Sequence, residues 1–218
     1  MKKIVTIEEA ICHVNDGATI MVGGFLGNGS PERLIDALVK KGVKNLTLIC
    51  NDSGFPEVGV GKLVVNKQIK KLIASHIGTN PETGRQMNAK EMEVSLVPQG
   101  TLAEQIRSGG AGLGGFLTPT GIGTIVEEDK EKITVNGETY LLELPLRADV
   151  ALLYAETADK FGNLIYKGSK RNFNPVMASA ADVVIVETDK VVEVGELNPN
   201  YVITPGIFVN YIVNGGDN

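Results

Sequence analysis

Hydrophobic and polar positions divide this chain into short apolar runs separated by amphipathic stretches. The run Ala18–Val22 is almost wholly apolar, which is typical of a strand buried on both faces of a parallel sheet. Comparable runs predict further strands at residues 45–50, 71–77, 91–98, 150–154 and 182–187.

Helix signals lie between these strands. The capping box Thr6–Glu9 predicts a helix over residues 7–14. Ser30 is expected to be the N-cap, and Pro31 the first residue, of a helix that ends at Gly42. Two more helices are expected, at residues 101–110 and 175–180.

Strands that alternate with helices predict an α/β fold, namely an open, mostly parallel sheet with helices on both faces. The pattern changes after Ile125. Residues 132–144 contain Asn136-Gly137 and predict a hairpin, and residues 161–166 predict the tip of another short β excursion. We therefore expect residues 1–218 to form one domain with a small β-rich insertion.

The composition is that of a globular protein, with 43% apolar and 22% charged residues. A net charge of −5, without a basic stripe, argues against nucleic acid as the main partner. No apolar run approaches the roughly 20 residues of a membrane span, and Glu8 and Glu9 lie where a signal peptide needs apolar residues. Cys12 and Cys50 are far apart in apolar runs, which favours reduced thiols. We expect a cytoplasmic protein without a membrane partner.

Four glycines fall within residues 23–29, between the first long strand and the helix that follows it. Such a turn suits an anion or a closely approaching ligand, because the first amides of the helix point towards it. A dinucleotide-binding G-x-G-x-x-G is not completed, since Glu32 occupies its last position, and no Gly-Lys-Ser/Thr triplet follows. The residues alone leave two interpretations open, a ligand contact or tight backbone packing.

A longer pattern is more specific. The segment DGATIMVGGF (16–25), followed by Gly29-Ser30-Pro31, resembles the signature of the α subunit, or N-terminal half, of family I coenzyme A transferases. Within that family the chain is most similar to bacterial members that act on acetate, acetoacetate and butyrate. The resemblance continues in order along the chain, at residues 51–54, 74–87, 97–124, 143–153 and 171–181.

The resemblance implies transfer of CoA from an acyl-CoA to a free carboxylate through a glutamyl thioester. The family's nucleophilic glutamate lies in a Ser-Glu-Asn-Gly stretch of the β subunit, and this chain contains no such tetrapeptide. We therefore expect no catalytic nucleophile in this chain, and a β subunit as partner in an α2β2 assembly. CoA is expected as a co-substrate, with no tightly bound cofactor. Two His and two scattered Cys do not indicate a metal site.

The resemblance also implies binding residues. CoA is expected to contact the glycine loop, which comprises Gly23, Gly24, Phe25, Leu26, Gly27, Asn28 and Gly29. Asn51 and Gln99 follow predicted strands, where open α/β sheets bind ligands, and their neutral amides are expected to hold a substrate. A turn-capping Asn and a helix-start Gln are the alternatives. The glycines of 109–115 are open to packing or to ligand contact.

Four other positions carry expectations. His76 is expected to be a core residue at a strand end, with a proton shuttle as the alternative, and His13 a surface residue at a helix end. Glu143 is expected to be a strand-end carboxylate paired with Arg147 or a backbone donor, with a functional acid as the alternative. The segment Asn172–Pro175 predicts a turn and a helix start, or a surface that faces the partner subunit.

Two rival functions accompany the main hypothesis. A dicarboxylate transferase, for glutaconate or 3-oxoadipate, would need an additional Arg or Ser for the second carboxylate. A ligand-sensing module with an architecture like that of sugar-phosphate isomerases would bind a small ligand without catalysis and without a partner.

Overall fold

The computed structural model describes residues 3–215. Its strands are β1 (Lys3–Ile4), β2 (Thr19–Val22), β3 (Leu46–Ile49), β4 (Ile69–Ala74), β5 (Glu93–Leu96), β6 (Phe116–Thr118), β7 (Lys132–Val135), β8 (Glu138–Glu143), β9 (Ala148–Asp159), β10 (Leu164–Ile165), β11 (Ala181–Val192) and β12 (Tyr211–Asn214). Its α-helices are α1 (Ile7–Ile11), α2 (Glu32–Lys41), α3 (Gly61–Val65), α4 (Pro81–Asn88), α5 (Gln99–Gly110) and α6 (Asn174–Ala178).

The main sheet runs in the order β1-β12-β11-β9-β2-β3-β4-β5, and every neighbouring pair along this path is parallel. Among the described residues, only those of β10 join it in the antiparallel sense, beside β9. A separate antiparallel sheet of β6, β8 and β7 forms the β-rich insertion. The predicted fold class is therefore confirmed.

The sheet is covered on both faces because its strands are apolar on both. Along β2, Ile20 packs into one hydrophobic cluster and its neighbour Met21 into the other. Helices α1, α2 and α3 contribute to the cluster that holds Ile20. Helices α5 and α6 contribute to the cluster that holds Met21.

The predicted start of α1 is confirmed, and its predicted end is wrong. Thr6 Oγ1 accepts the N–H of Glu9, and the Glu9 carboxylate accepts the N–H of Thr6. The helix ends at Ile11 instead of residue 14. Beyond Ile11 the N–H of Val14 donates to the carbonyl of Ile11, three residues back, so the chain tightens into a turn.

The N-terminus of α2 differs from the prediction. Pro31 is the N-cap residue, and it makes no side-chain capping bond. The carboxylate of Glu187, on β11, accepts the N–H groups of Arg33 and Leu34 at 2.9 and 3.0 Å. The anion expected at this helix end is therefore supplied by the protein itself. The predicted end at Gly42 is confirmed, with φ of +74°.

Other elements are longer than predicted or were missed. Both β9 and β11 have twelve residues, since they pair with each other over almost their whole length. The hairpin of β7 and β8 is confirmed, as is the short β10. Sequence analysis missed β1, β6, β12, α3 and α4. For α4 a signal existed, because Asn80 caps the helix and Pro81 is its first residue.

Candidate functional site

The predicted site lies where parallel strands end. Strands β2, β3 and β4 point the same way, so the loops that follow them meet at one edge of the sheet, here called the carboxyl edge. Ligands of open α/β sheets bind at this edge. The glycine loop follows β2, Asn51 follows β3, and Gln99 is the first residue of α5, after β5.

The glycine loop is a tight two-residue turn. Phe25 and Asn28 exchange backbone hydrogen bonds of 3.0 and 2.9 Å. Between them Leu26 and Gly27 have φ of +49° and +83°, the left-handed pair that such a turn requires. Glycine suits this conformation, whereas Leu26 adopts it at a steric cost.

Protein neighbours explain why this loop contains glycines. A Cβ at Gly23 would overlap the Asn174 side chain, and one at Gly24 would overlap the Ser30 hydroxyl. A Cβ at Gly29 would lie 2.5 Å from the carbonyl oxygen of Lys170. The packing interpretation therefore accounts for these glycines, and the contact between this loop and CoA stays a prediction.

A second loop with a similar bridge follows β3, and sequence analysis missed it. Phe55 and Val58 are bridged as Phe25 and Asn28 are, and Gly54 and Gly59 have positive φ. The signal was the spacing Gly-Phe-x-x-x-Gly, which occurs at 24–29 and again at 54–59. The two loop tips touch, since a Cβ at Gly27 would overlap Val58.

Asp52 joins the two loops. Its carboxylate accepts the N–H of Leu26 at 3.0 Å and the N–H of Gly54 at 2.8 Å, and the residue is only 4% exposed. A cavity of about 10 Å³ remains between the loops, which is too small for a substrate. Beside it, burial raises the pKa of the Cys50 thiol well above its usual value, and Asp52 raises it further.

Asn51 and Gln99, each predicted to follow a strand, are brought together by the fold. Gln99 Nε2 donates to Asn51 Oδ1 at 2.6 Å, and Asn51 Nδ2 donates to the carbonyl of Gly24 at 2.7 Å. Ser75 Oγ lies within hydrogen-bond distance of the Gln99 Oε1 atom and of the Asn51 carbonyl oxygen, and its single O–H can donate to either of them. Asn51 is 1% exposed, whereas Gln99 lies on the surface. Their contact with a substrate stays a prediction.

Two surfaces next to the glycine loop differ in chemistry. The tips present exposed apolar side chains, with Phe25 48% and Phe55 41% exposed. A depression of about 290 Å³ lies next to Gly27, Asn28 and Gly29. Its charged lining residues are Glu32, Lys170, Glu187 and Asp189.

Tyr154 also lines this depression. Its hydroxyl donates to Asp189 at 2.5 Å and accepts from Lys170 Nζ at 2.8 Å. Burial and the Asp189 carboxylate raise the pKa of Tyr154 well above its usual value, so the phenol stays protonated. Carboxylates outnumber the single ammonium group here, which disfavours a phosphate.

Two predictions about single residues are wrong. Glu143 is buried and pairs with Lys130 and Gln105, not with Arg147. Arg147 reaches Asp182 and the carbonyl of Gly109 instead. The β-rich insertion decides this, because it brings Lys130 over the end of β8.

His76 is exposed, not buried in the core. The strand β4 ends two residues earlier, at Ala74, so His76 lies in the following loop, where its carbonyl accepts the N–H of Ser53. His13 is exposed at the end of α1, as predicted, and stacks on Tyr211 with ring centroids 4.6 Å apart.

The second glycine cluster is explained largely by packing. A Cβ at Gly109 would overlap the carbonyl of Leu146, and one at Gly110 would overlap the Ser179 hydroxyl. A Cβ at Gly115 would lie 2.7 Å from the carbonyl of Glu143. Gly112 and Gly114 have open space around them.

Within residues 3–215, no group of three or more His, Cys, Asp or Glu side chains is placed to share a metal ion. No helix in the same part of the chain has the length and apolar character needed to cross a membrane.

The protein thus has an open, mostly parallel α/β sheet, and the loops after β2 and β3 touch each other at its carboxyl edge. The profile of the coenzyme A transferase family matches residues 4–215. The chain is 58% identical over 211 residues to the acetate CoA-transferase subunit alpha of Escherichia coli, covering 97% of this chain and 96% of that one. This chain belongs to the coenzyme A transferase family.

Two further comparisons agree. The acetoacetyl-CoA:acetate/butyrate CoA transferase alpha subunit of Clostridium acetobutylicum is 54% identical over 211 residues, which cover 97% of each chain. An acyl-CoA transferase of Escherichia coli O157:H7, solved as a thioester complex with CoA, has the same fold with a TM-score of 0.89 at 23% identity. The match covers all of this chain and 48% of that longer one, so this chain spans about half its length.

Proposed function

We propose that this chain is the α subunit of a short-chain acyl-CoA:carboxylate CoA-transferase that acts on acetate, acetoacetate or butyrate. The observation that carries this proposal is the near full-length similarity to the two α subunits described above, whose names specify acetate and acetate/butyrate. The working enzyme is a cytoplasmic assembly of this chain with a β subunit, in an α2β2 arrangement.

The nucleophile comes from the β subunit, because this chain lacks the Ser-Glu-Asn-Gly stretch of the family. The partner's glutamate attacks the thioester carbonyl, the CoA thiolate leaves, and a mixed anhydride forms. The thiolate then attacks the glutamyl carbonyl and releases the first carboxylate, which leaves CoA on the glutamate. The acceptor carboxylate reverses these two steps and departs as the new acyl-CoA.

Gln99 supplies a neutral donor at this site. A primary amide carries two N–H groups, and one of those of Gln99 donates to Asn51. The residue is exposed, so its amide can face a substrate oxygen. A neutral donor holds a carboxylate without pairing with, and so deactivating, the partner's glutamate. Asn51 is buried and acts mainly by orienting Gln99 and the carbonyl of Gly24.

CoA approaches the glycine loop from the side of its tip. The apolar surfaces of Phe25 and Leu26 are exposed there and can cover the aliphatic part of the cofactor. The depression next to Gly27 is lined by three carboxylates and one ammonium group, which would repel the phosphates.

The neutral surroundings of Gln99 favour a monocarboxylate over a dicarboxylate. Among the described residues, the side chains that hydrogen-bond to Asn51 and Gln99 are each other and Ser75, all uncharged. A second carboxylate would be bound better by an Arg. The rival sensing function predicts ligand binding without a partner and without turnover, so the co-expression experiment described next also tests it.

The test is co-expression with a candidate β subunit that carries a Ser-Glu-Asn-Gly-like stretch. The complex is expected to transfer CoA from acetoacetyl-CoA to acetate. The chain alone is expected to show no transfer and no covalent CoA adduct trapped by borohydride. Turnover by the single chain, free of any partner, would refute the proposal that the nucleophile comes from the β subunit. CoA binding without turnover in every complex would favour the sensing function.

A further inference from the structure

The segment Gly168–Asn174 covers the glycine loop. It follows β10 and consists of a short 3₁₀ turn, Gly168–Arg171, the two residues after it, and Asn174, the first residue of α6. The loop that it covers is about 140 residues away in sequence, since Asn28 Nδ2 donates to Ser169 Oγ at 2.9 Å across 141 residues.

Asn172 holds both ends of the loop tip. Its Oδ1 accepts the N–H of Gly24 at 3.0 Å, and its Nδ2 donates to the carbonyl of Asn28 at 3.0 Å. Gly24 precedes the turn and Asn28 closes it, so one side chain bridges the base of the hairpin. These are the two polar ends of one amide, and neither a carboxylate nor a hydroxyl could make both bonds in the same way.

The backbone of Asn172 is itself unusual. Its φ of +22° with ψ of −123° lies outside the regions that L residues commonly adopt. The conformation is over-determined by its neighbours: the N–H of Asn172 donates to Ser169, and its Oδ1 also accepts the N–H of Phe173. Strain that the surroundings impose in this way is commonly found where a side chain must be aimed.

Asn174 also holds the base of the glycine loop. It is fully buried, its Nδ2 donates to the carbonyl of Gly29 at 3.0 Å, and its Oδ1 accepts the N–H of Tyr154 at 3.0 Å. Its side chain also occupies the space above Gly23. The base of the loop is thus fixed by two asparagines from the motif Asn172-Phe173-Asn174-Pro175.

We propose that Asn172 is a positioning residue that fixes the conformation in which the glycine loop receives CoA. This inference rests on the proposed function, because it takes the loop to be the CoA-binding element. The Asn172 amide acts through the backbone of Gly24 and Asn28 and touches no reacting atom. Without it, the turn between Phe25 and Asn28 still forms, but its base is free to shift relative to the sheet.

Amide hydrogen exchange of the full-length chain tests the positioning directly. Asn172→Gly removes the side chain and accommodates the positive φ, so the fold is expected to survive. The amide of Gly24, which loses its acceptor, is expected to exchange at least about tenfold faster than in the wild type, whereas those of Phe25 and Asn28 keep their bonds within the turn. Asn172→Asp keeps the acceptor for Gly24 and loses the donor to Asn28, so Gly24 should stay more protected than in the Gly variant. Asn66→Ala serves as the control. It removes an exposed side-chain hydrogen bond to the carbonyl of Lys62, at the C-terminal end of α3, and should leave exchange of the glycine-loop amides unchanged.

Kinetics of the complex with its β subunit test the consequence. Asn172→Gly is expected to raise KM for the acyl-CoA about tenfold and to change kcat by less than about threefold, as for a loss of binding without loss of chemistry. Unchanged loop exchange in both Asn172 variants would overturn the proposal. Faster loop exchange with wild-type CoA affinity would also overturn it, since the loop would then not be positioned for CoA.

The same exchange experiment separates this inference from the proposed function. Adding CoA to the wild-type complex is expected to slow exchange of the loop amides. If CoA protects other segments only, the loop is not the CoA site and the assignment of the loop fails. If CoA protects the loop but Asn172→Gly neither accelerates exchange nor raises KM, the loop assignment stands and the role of Asn172 is refuted.

Discussion

Gln99 donates a hydrogen bond to Asn51 across 48 residues of sequence, with 2.6 Å between Nε2 and Oδ1. The two amides therefore act as one unit: the buried Asn51 fixes the direction of the exposed Gln99. Ser75, which follows β4, completes the unit, since its hydroxyl can donate to the Oε1 atom of Gln99. A substrate carboxylate at the carboxyl edge would meet a donor whose orientation is already set, which lowers the entropic cost of binding.

Gln99→Ala is expected to lower kcat/KM for acetate about tenfold in the complex with the β subunit. Loss of one neutral hydrogen bond costs about 0.5–1.5 kcal/mol, and about 1.4 kcal/mol is a factor of ten. The measurement is steady-state kinetics with acetate varied at saturating acyl-CoA. KM for the acyl-CoA serves as the internal control and should barely change. Wild-type acceptor kinetics in a stable variant would leave Gln99 as a helix-start residue.

Gly29→Ala is expected to destabilise the chain more than Gly42→Ala. The two glycines have nearly the same φ, +72° and +74°, so each substitution carries the left-handed cost of about 1–2 kcal/mol. A Cβ at Gly42 meets open space, whereas one at Gly29 meets the Lys170 carbonyl at 2.5 Å. Overpacking should cost Gly29→Ala about 1–3 kcal/mol more. Urea unfolding of both variants measures the difference, and equal losses would contradict the packing of segment 168–174 on the loop.

Glu187 is expected to make stability depend on pH. Burial raises its pKa in the folded chain, and the N–H groups of Leu34 and Arg33 offset this only in part. The folded chain thus keeps a proton that the unfolded chain releases near the ordinary value of 4.5. The contribution of Glu187 to the free energy of unfolding should therefore fall as pH rises from 4.5 through the raised pKa, and then level off.

Glu187→Gln tests this dependence, because the amide cannot titrate. Urea unfolding from about pH 4.5 to 8 should show the wild type losing stability relative to the variant as pH rises. Glu57→Gln, at an exposed loop position, controls for the loss of one negative charge. A difference that grows in favour of the wild type with rising pH would contradict the prediction.

The two cysteines are expected to differ in reactivity. Cys12 is exposed, whereas Cys50 is buried and its pKa is raised by burial and by Asp52. Since the thiolate is the reactive form, iodoacetamide at neutral pH should label Cys12 and leave Cys50 unmodified in the folded chain. Mass spectrometry after labelling, with and without urea, measures both sites. Labelling of Cys50 without urea would contradict its burial under the glycine loop.

The order of the local elements could be predicted from sequence because it depends on neighbours along the chain. Both faces of β2 are apolar, and the Thr6–Glu9 capping box and the Asn136-Gly137 turn need only a few adjacent residues. The family resemblance, and with it Asn51 and Gln99 as candidate substrate contacts after predicted strands, could also be obtained from sequence. That residues 1–218 form one domain stays a prediction.

Only the tertiary structure decided what occupies the N-terminus of α2 and why the loop before it contains glycine. The Glu187 carboxylate reaches Leu34 across 153 residues, and Asn172 reaches Gly24 across 148. It likewise decided that Glu143 pairs with Lys130 and that β1 pairs with β12. Hydrophobic periodicity records which face of an element is buried, but not which distant side chain meets it. Such contacts arise only when parallel strands bring separate segments to the same edge of the sheet.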